Sequence, residues 1–515
     1  MTDAQLQNLL ETLGCLADGR GPPGDRLPNV AWLAGATDEE VEQLLAAMGA
    51  CPSLAAGPAD ALCVGIFQQL RLRQGSLVLG KGARSMVPLL GDLYRQLGAA
   101  SKARCHLLQL LAGDRAPVAL RAFADLVAED PPQDRSGVGI AFSPLFQRKD
   151  YDIGCLFPRL LGAIGHPAVA AAVIDLSNFV TREGLSAAHP AARRAPQLAA
   201  LLGELAQRLA SIEELSHVDR QLLPQVSRQV DDGVSLAVSL CDALGLIGDE
   251  SAVGKLYQVL SLQHRRLRTE AAAALARLGQ EAGRESLIAL AAEPVCRLRV
   301  IAYAEELGIL DRIDEQYRTR PAQAEAELAL WLAQPSQLGI PPTRLEIIDS
   351  RTQYWPGFDQ PVECFLLRFI YQLAQAEYSN IGIAGPLTHA FAADLADLPL
   401  EDIYAAFAGW HAQHEEICEL EVDALSAFER PEVARLERAL RDRGYDAIQP
   451  LRFGYFFGER MLVARAVRNG CSGIAVADAH DVQWHPSAGR QRPVGPHEAS
   501  AIYKGRKLLC SFNNS

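Results

Sequence analysis

The residues best suited to chemistry in this chain cluster in its last third. One run reads Trp410-His411-Ala412-Gln413-His414-Glu415-Glu416-Ile417-Cys418. On a helix, His411 and Glu415 would stand one turn apart, and so would His414 and Cys418. Two imidazoles with a carboxylate or thiolate suit zinc or iron. Their order is not that of the zinc-protease helix motifs, and Glu419, Glu421 and Asp423 equally describe a solvated acidic face. Ile403, Phe407, Trp410 and Ile417 form an apolar stripe at helical spacing. His414 falls on that stripe and is expected to face a sheet, with His411 and Glu415 at the rim of a cleft. A second run, Asp478-Ala479-His480-Asp481, puts Asp478 and His480 on one face of an extended chain, where a carboxylate can orient an imidazole as general base. The plainer reading is a strand end capped by the Asp478 side chain. Asp478 or Asp481 is also the expected hydrogen-bond partner of a buried His414.

Binding chemistry has its own candidates. Tyr354-Trp355-Pro356-Gly357-Phe358 offers Trp355 and Phe358 as aromatic contacts. In Phe453-Gly454-Tyr455-Phe456-Phe457-Gly458, the rings of Phe456 and Phe457 are expected in the core. Arg266 and Arg297 are candidates for a basic stripe toward an acidic partner, with Arg268 and Arg299 expected to serve structure. Ser379 to His389 could aim backbone amides at an anion, but a tight strand exit through Gly385 explains it more simply. No GxSxG elbow, GxGxxG fingerprint or P-loop lysine occurs, so nucleophilic catalysis and nucleotide binding lack positive support.

These residues must be positioned by elements of two kinds. Helical periodicity with short breaks runs through residues 1–130, with Thr37 capping a helix whose apolar face is Val41, Leu44, Leu45 and Met48. Further helices are expected near 59–73, 84–97, 101–112 and 116–129. The Pro/Gly stretch 19–28 and the pair Pro131-Pro132 break the pattern. A repeat follows. Ala243-Leu-Gly-Leu-Ile-Gly248 is echoed 31 residues on by Ala274-Leu-Ala-Arg-Leu-Gly279, and 29 residues later by Tyr303-Ala-Glu-Glu-Leu-Gly308. Leu160 to Pro167 looks like a diverged copy. Each unit reads as helix, turn, helix, ending in a glycine suited to the left-handed cap. The run Arg265-Arg-Leu-Arg-Thr-Glu-Ala-Ala-Ala-Ala-Leu-Ala-Arg-Leu-Gly279 resembles the second helix of HEAT-like repeats of the phycobilisome-lyase type. That resemblance implies an α-solenoid of helix pairs over roughly 140–335, with Arg268 and Arg299 at the family's arginine position. It is nearly silent on function, because such repeats serve lyases, assembly factors and scaffolds alike.

After Pro341-Pro342 the pattern turns β-rich. Strands are expected at 345–349, 362–371 and 378–384, then helices from Glu401 to about Leu420 and from Pro431 to Arg443. A hairpin is expected around Asn469-Gly470, and a last strand from Ile502 to Phe512. The fold class is therefore mainly α: a HEAT-like α-solenoid followed by a smaller α+β domain with a mostly antiparallel sheet of five or six strands. The expected divisions are 1–130, 137–335 and 342–515.

Net charge of −13 argues against broad nucleic-acid or anionic-lipid binding. Eleven scattered cysteines without a CxxC pair, no signal-peptide pattern at Met1 and no long apolar run point to a cytoplasmic location. The expected function is a protein-binding scaffold or adaptor whose partner is another protein. The alternative is an enzyme or cofactor-attachment factor with a small polar or metal site in the C-terminal domain. Which cofactor, if any, the sequence leaves open.

Overall fold

The computed structural model describes residues 3–18, 20, 22, 27–51, 54, 57–73, 86–216, 223–373, 376–490 and 492–513. The first residues of the expected helix 84–97, and much of the stretch 19–28, lie outside them. The chain divides into two compact units, Met1–Leu287 and Ile288–Ser515. It is mainly helical, and among the described residues its strands are confined to the second unit. No described helix is long and apolar enough to cross a membrane.

In the first unit, helices two apart in sequence pack on each other. Gly57–Leu72, Ala103–Gly113 and Arg135–Gln147 stack in succession, as do Ala170–Arg182, Leu223–Ile247 and Arg265–Arg277. Asp38–Gly49, Val87–Gln96 and Pro117–Glu129 form a parallel series. Thr37 closes a reciprocal capping box with Glu40, and Val41, Leu44, Leu45 and Met48 are buried as expected. Two arginines, Arg104 buried and Arg148 half-buried, tie one helix to another's end. Arg104 donates to Leu97 O at 2.7 Å and to Asp130 Oδ2 at 2.7 Å. Arg148 donates to Gly113 O and Asp114 O. Both satisfy carbonyls that a helix C-terminus leaves without an intrahelical partner. The stretch 160–167, expected as a repeat copy, is a 3-10 segment over Arg159–Gly165.

Gly248, Gly279 and Gly308 all adopt positive φ at helix ends, as the repeat pattern requires. The arginine register differs from the expectation. Helix Arg265–Arg277 has His264 at its N-cap, and helix Pro294–Glu306 has Glu293, a step of 29 residues. In that register Arg297 matches Arg268. Arg297, expected on the surface, is 3 % exposed, and Arg299 is exposed. The Arg-Leu-Arg echo at 31 residues is out of step with the packing.

The second unit contains one design twice. In the first copy, helix Arg320–Leu332 precedes strands β1 (Arg344–Gln353), β2 (Val362–Leu373), β3 (Ala376–Ala384) and β4 (His389–Ala390), and helix Leu400–His411 follows. After a short strand β5 (Ile417–Glu421) the order recurs. Helix Arg430–Asp442 precedes β6 (Asp446–Phe456), β7 (Glu459–Arg468), β8 (Cys471–Ala477) and β9 (Val482–Pro486), and helix Pro496–Asn513 follows. Each set of strands is an antiparallel meander, β1-β2-β3-β4 and β5-β6-β7-β8-β9. The expected single sheet of five or six strands is thus two sheets.

The central strands β2 and β7 are covered on both faces, their alternate residues packing to opposite sides. On β2, Cys364 and Leu366 face the helices Leu400–His411 and Pro496–Asn513, while Phe365, Leu367 and Phe369 face Ala324, Leu328 and Leu332 of the helix Arg320–Leu332. On β7, Met461 and Val463 face the same inner helices, while Leu462 and Ala464 face Val433, Leu436 and Leu440 of the helix Arg430–Asp442. The two inner helices touch backbone to backbone. A Cβ on Gly409 would sit 1.9 Å from Ala501 O, and one on Gly505 would sit 1.8 Å from Ala405 O. Ala405 and Gly409 therefore do to the second helix what Ala501 and Gly505 do to the first, which is the reciprocity of a two-fold relation.

Two expected elements are corrected. The helix from Glu401 stops at His411, and Ile417–Glu421 pairs with β6 instead. The segment 502–512, expected as a strand, is helical. Its β-type residues are overruled by tertiary packing, in which Gly505 admits the neighbouring backbone. The Asn469-Gly470 turn is as expected, with φ of 51° and 76°.

Candidate functional site

The expected histidine cluster does not assemble. His411 ends its helix half-buried, and its Nδ1 accepts from Trp355 Nε1 at 3.1 Å. His414 and Glu415 lie beyond the helix in an exposed turn, where His414 packs on Phe457 at 4.8 Å. Cys418 is exposed on β5, and neither pair spaced four residues apart meets on a helix. Among the described residues, no three His, Cys, Asp or Glu side chains are placed to hold a metal ion.

Asp478 is buried and serves the backbone. Its Oδ1 accepts from His480 N and Asp481 N at 2.7 Å, while Oδ2 accepts from Tyr503 Oη at 2.8 Å and Lys507 Nζ at 3.0 Å. With four donors it is a satisfied staple between the end of β8 and the last helix. His480 is exposed. Burial, then the hydrogen bond to Asp478, push the Tyr503 phenol well up. The possible anion loop is likewise structural. The Asn380 side chain donates to Phe391 O and Ala393 O, and Gly385 has φ 111°.

Of the binding candidates, Trp355 is core and Phe358 is 40 % exposed, its ring 6.4 Å from that of His411. Arg266 is exposed. Arg297 is internal, donating to Ala291 O at 3.0 Å, Ala322 O at 2.6 Å and Glu325 Oε2 at 3.0 Å. Phe456 is buried as expected, but Phe457 is 44 % exposed.

A polar cavity lies where β9 and the N-terminus of helix Leu400–His411 approach the last helix, and a smaller one, of about 200 Å³, is lined by Arg435, Glu459, Arg460, Asp478 and His480. The first measures about 330 Å³. Gln483, His485, Asp402, Arg490 and Arg506 line it. Arg506 Nε donates to Asp402 Oδ1 at 2.5 Å, and Arg490 Nη1 donates to Asp394 O at 2.9 Å. His485 is 7 % exposed, and its Nε2 has no hydrogen-bond partner; Gln483 Oε1 has none either. Burial depresses the imidazole to about 4, opposed by Asp402 and reinforced by Arg506 and Arg490, so His485 is neutral. Both atoms are closed to solvent, so they are unmet within the packing behind the cavity and are not offered to it. None of these five residues stands out by motif. The signal that marks them is the duplication, which the spacing Ala405/Gly409 and Ala501/Gly505 carries in the sequence.

Comparison of this chain with known protein families, curated proteins and solved structures returns no match.

Proposed function

We propose that this protein is a binding scaffold, with a HEAT-like α-solenoid in its first unit and a second interaction module in its second. The alternate packing of helices two apart, and the glycine-ended helices at Gly248, Gly279 and Gly308, support the solenoid reading. Such an array buries its core between neighbours and leaves a long face for a protein partner.

The observation that carries the interaction role is a set of exposed rings on the second unit. Tyr354 and Phe358 in the β1–β2 turn and Phe457 in the β6–β7 turn are each 40–44 % exposed. Phe358 lies beside His411, and Phe457 beside His414, three residues further on. Aromatic side chains held out by tight turns are characteristic of the anchors of protein interfaces. The less exposed carboxylates of this unit, Glu419, Asp478 and Asp402, are engaged by structural donors, which favours recognition over catalysis.

The test is affinity capture by the full chain against a Phe358→Ser/Phe457→Ser variant of unchanged melting temperature. A partner retained by the native chain should be weakened about tenfold or more in the variant. Equal recovery by both proteins would sink this assignment of the surface.

A further inference from the structure

One helix series of the first unit is interrupted. Asp38–Gly49, Val87–Gln96 and Pro117–Glu129, of 12, 10 and 13 residues, follow one another. The element that packs next on Pro117–Glu129 is the 3-10 segment Arg159–Gly165, of only 7 residues. Beyond it stands helix Ala195–Ser216, which packs on Leu223–Ile247 and Val253–Leu260. Between the short segment and this long helix lies a trough of about 580 Å³. Ile164 lines it from the short segment and Leu236 from Leu223–Ile247.

The face of Ala195–Ser216 toward the trough is apolar and only half covered. Gln197, Leu201, Leu205, Arg208 and Ile212 line it, spaced three or four apart and therefore on one stripe. Leu201, Leu205 and Ile212 are half-buried, with buried Leu198 and Leu209 beside them. The stripe runs about 22 Å, the length of a four-turn helix. The charge at the trough is one-sided. Arg135 is paired with Asp232, the only carboxylate among the described lining residues. Arg208 is exposed, and Arg194 donates to Leu161 O at 2.6 Å; neither has a carboxylate partner among the described residues. Three guanidinium groups thus face one carboxylate, in a chain of net charge −13.

We propose that this trough is the docking groove for an amphipathic helix of a partner protein, about four turns long, whose apolar stripe is flanked by glutamate or aspartate. The partner helix fills the place that the short 3-10 segment leaves in the series. Charge decides the occupant. A second copy of this chain would set a positive surface against itself. A fatty carboxylate carries one charged head, whereas Arg194 and Arg208 stand about 20 Å apart along the chain, a span that acidic residues on several turns of a helix can answer. The proposal deepens the scaffold reading and rests on it for the partner's being a protein. Its surface belongs to the first unit and shares nothing with the exposed rings of the second.

The experiment is fluorescence anisotropy with the full chain and a labelled peptide of about 18 residues, with leucine at every third or fourth position, glutamate on both flanks and alanine at the back. A second peptide replaces each glutamate by lysine, and sodium decanoate serves as competitor. The glutamate peptide should bind at about 10–100 μM and the lysine peptide at least about tenfold more weakly. Arg208→Glu, a change at an exposed residue, should weaken the glutamate peptide about tenfold and tighten the lysine peptide. Leu201→Ser/Leu205→Ser should bind neither. Phe358→Ser/Phe457→Ser should bind the glutamate peptide like the native chain, so that failure of the ring surface and failure of the trough are read separately. The proposal is overturned if the glutamate peptide does not bind, if the two peptides bind alike, or if Arg208→Glu changes nothing. Displacement of the peptide by decanoate at micromolar concentration overturns it in favour of a fatty carboxylate. A native dimer that Leu201→Ser/Leu205→Ser makes monomeric overturns it in favour of a second copy. Should the double-serine variant misfold, the charge reversal at Arg208 decides alone.

Discussion

Arg266 and Arg297 share a place in the written repeat and differ in every physical respect. Arg297 is buried and holds two backbone carbonyls and Glu325; Arg266 is exposed. Arg297→Met should cost about 2–4 kcal/mol, since it strands buried acceptors. Arg266→Ala should stay within about 0.5 kcal/mol, both values read from urea unfolding. Glu419 makes a second residue-level case. Burial raises its carboxyl, but hydrogen bonds from Lys504 and Ser500, the Lys504 charge and Arg452 outweigh that, so the net shift is downward. Its contribution is present above the unfolded carboxylate value and is lost as pH falls through the lower folded one. Glu419→Gln should therefore be destabilising at pH 7 by about 1–3 kcal/mol, with the deficit shrinking below about pH 4. A deficit that persists in acid would show that packing, not charge, is what the substitution damages. Side-chain types at 411–418 were visible in the sequence, yet their grouping was not. His411 and His414 are separated by a helix end that depends on β5 finding an edge of β6.

At the level of elements, local chemistry was legible and long-range competition was not. The Thr37 cap, the Asn469-Gly470 hairpin and the Gly444 stop with φ 81° follow from short-range rules. The last helix defied its composition because its partner lies about a hundred residues earlier in the chain. That contact sets a clear expectation. Gly409→Ala and Gly505→Ala each place a methyl group inside another backbone, and each should cost more than about 3 kcal/mol, loosening the second unit first. Hydrogen exchange at 344–513 should rise while helix Ala103–Gly113 keeps its protection. Gly139→Ala, in a helix with nothing within 4 Å, should instead stabilise by about 0.5–1 kcal/mol. If all three behave alike, the close crossing has no energetic weight.

For the molecule as a whole, the division of the chain matters most. Helix Arg320–Leu332, at the end of the expected repeat array, covers Phe365, Leu367 and Phe369 of the first sheet. A fragment 342–515 would expose that apolar face, whereas 288–515 keeps it covered. Expressed separately, the longer fragment should be soluble and unfold cooperatively, and the shorter should aggregate. A soluble, cooperative 342–515 would show that the helix is dispensable. Acid should also weaken the protein globally. Burial holds His189, His389 and His485 near 4. Each is neutral when folded and takes up a proton on unfolding between about pH 4 and 6.5, so stability falls as pH drops through that window. The slope should approach about 1.4 kcal/mol per pH unit for each histidine, and a urea midpoint unchanged between pH 7 and 5 would contradict it.

The reciprocal glycines carry a historical consequence. A surface in which Ala405 and Gly409 meet Ala501 and Gly505 is what a half-length chain would use to pair with an identical copy of itself. In such a pair every substitution strikes both copies at once, so neither can change without the other. Joined into one polypeptide, the halves become free to diverge. The asymmetry between Trp410 and Arg506, the residues that follow the two glycines, is thus a change that gene fusion permits and a homodimer forbids.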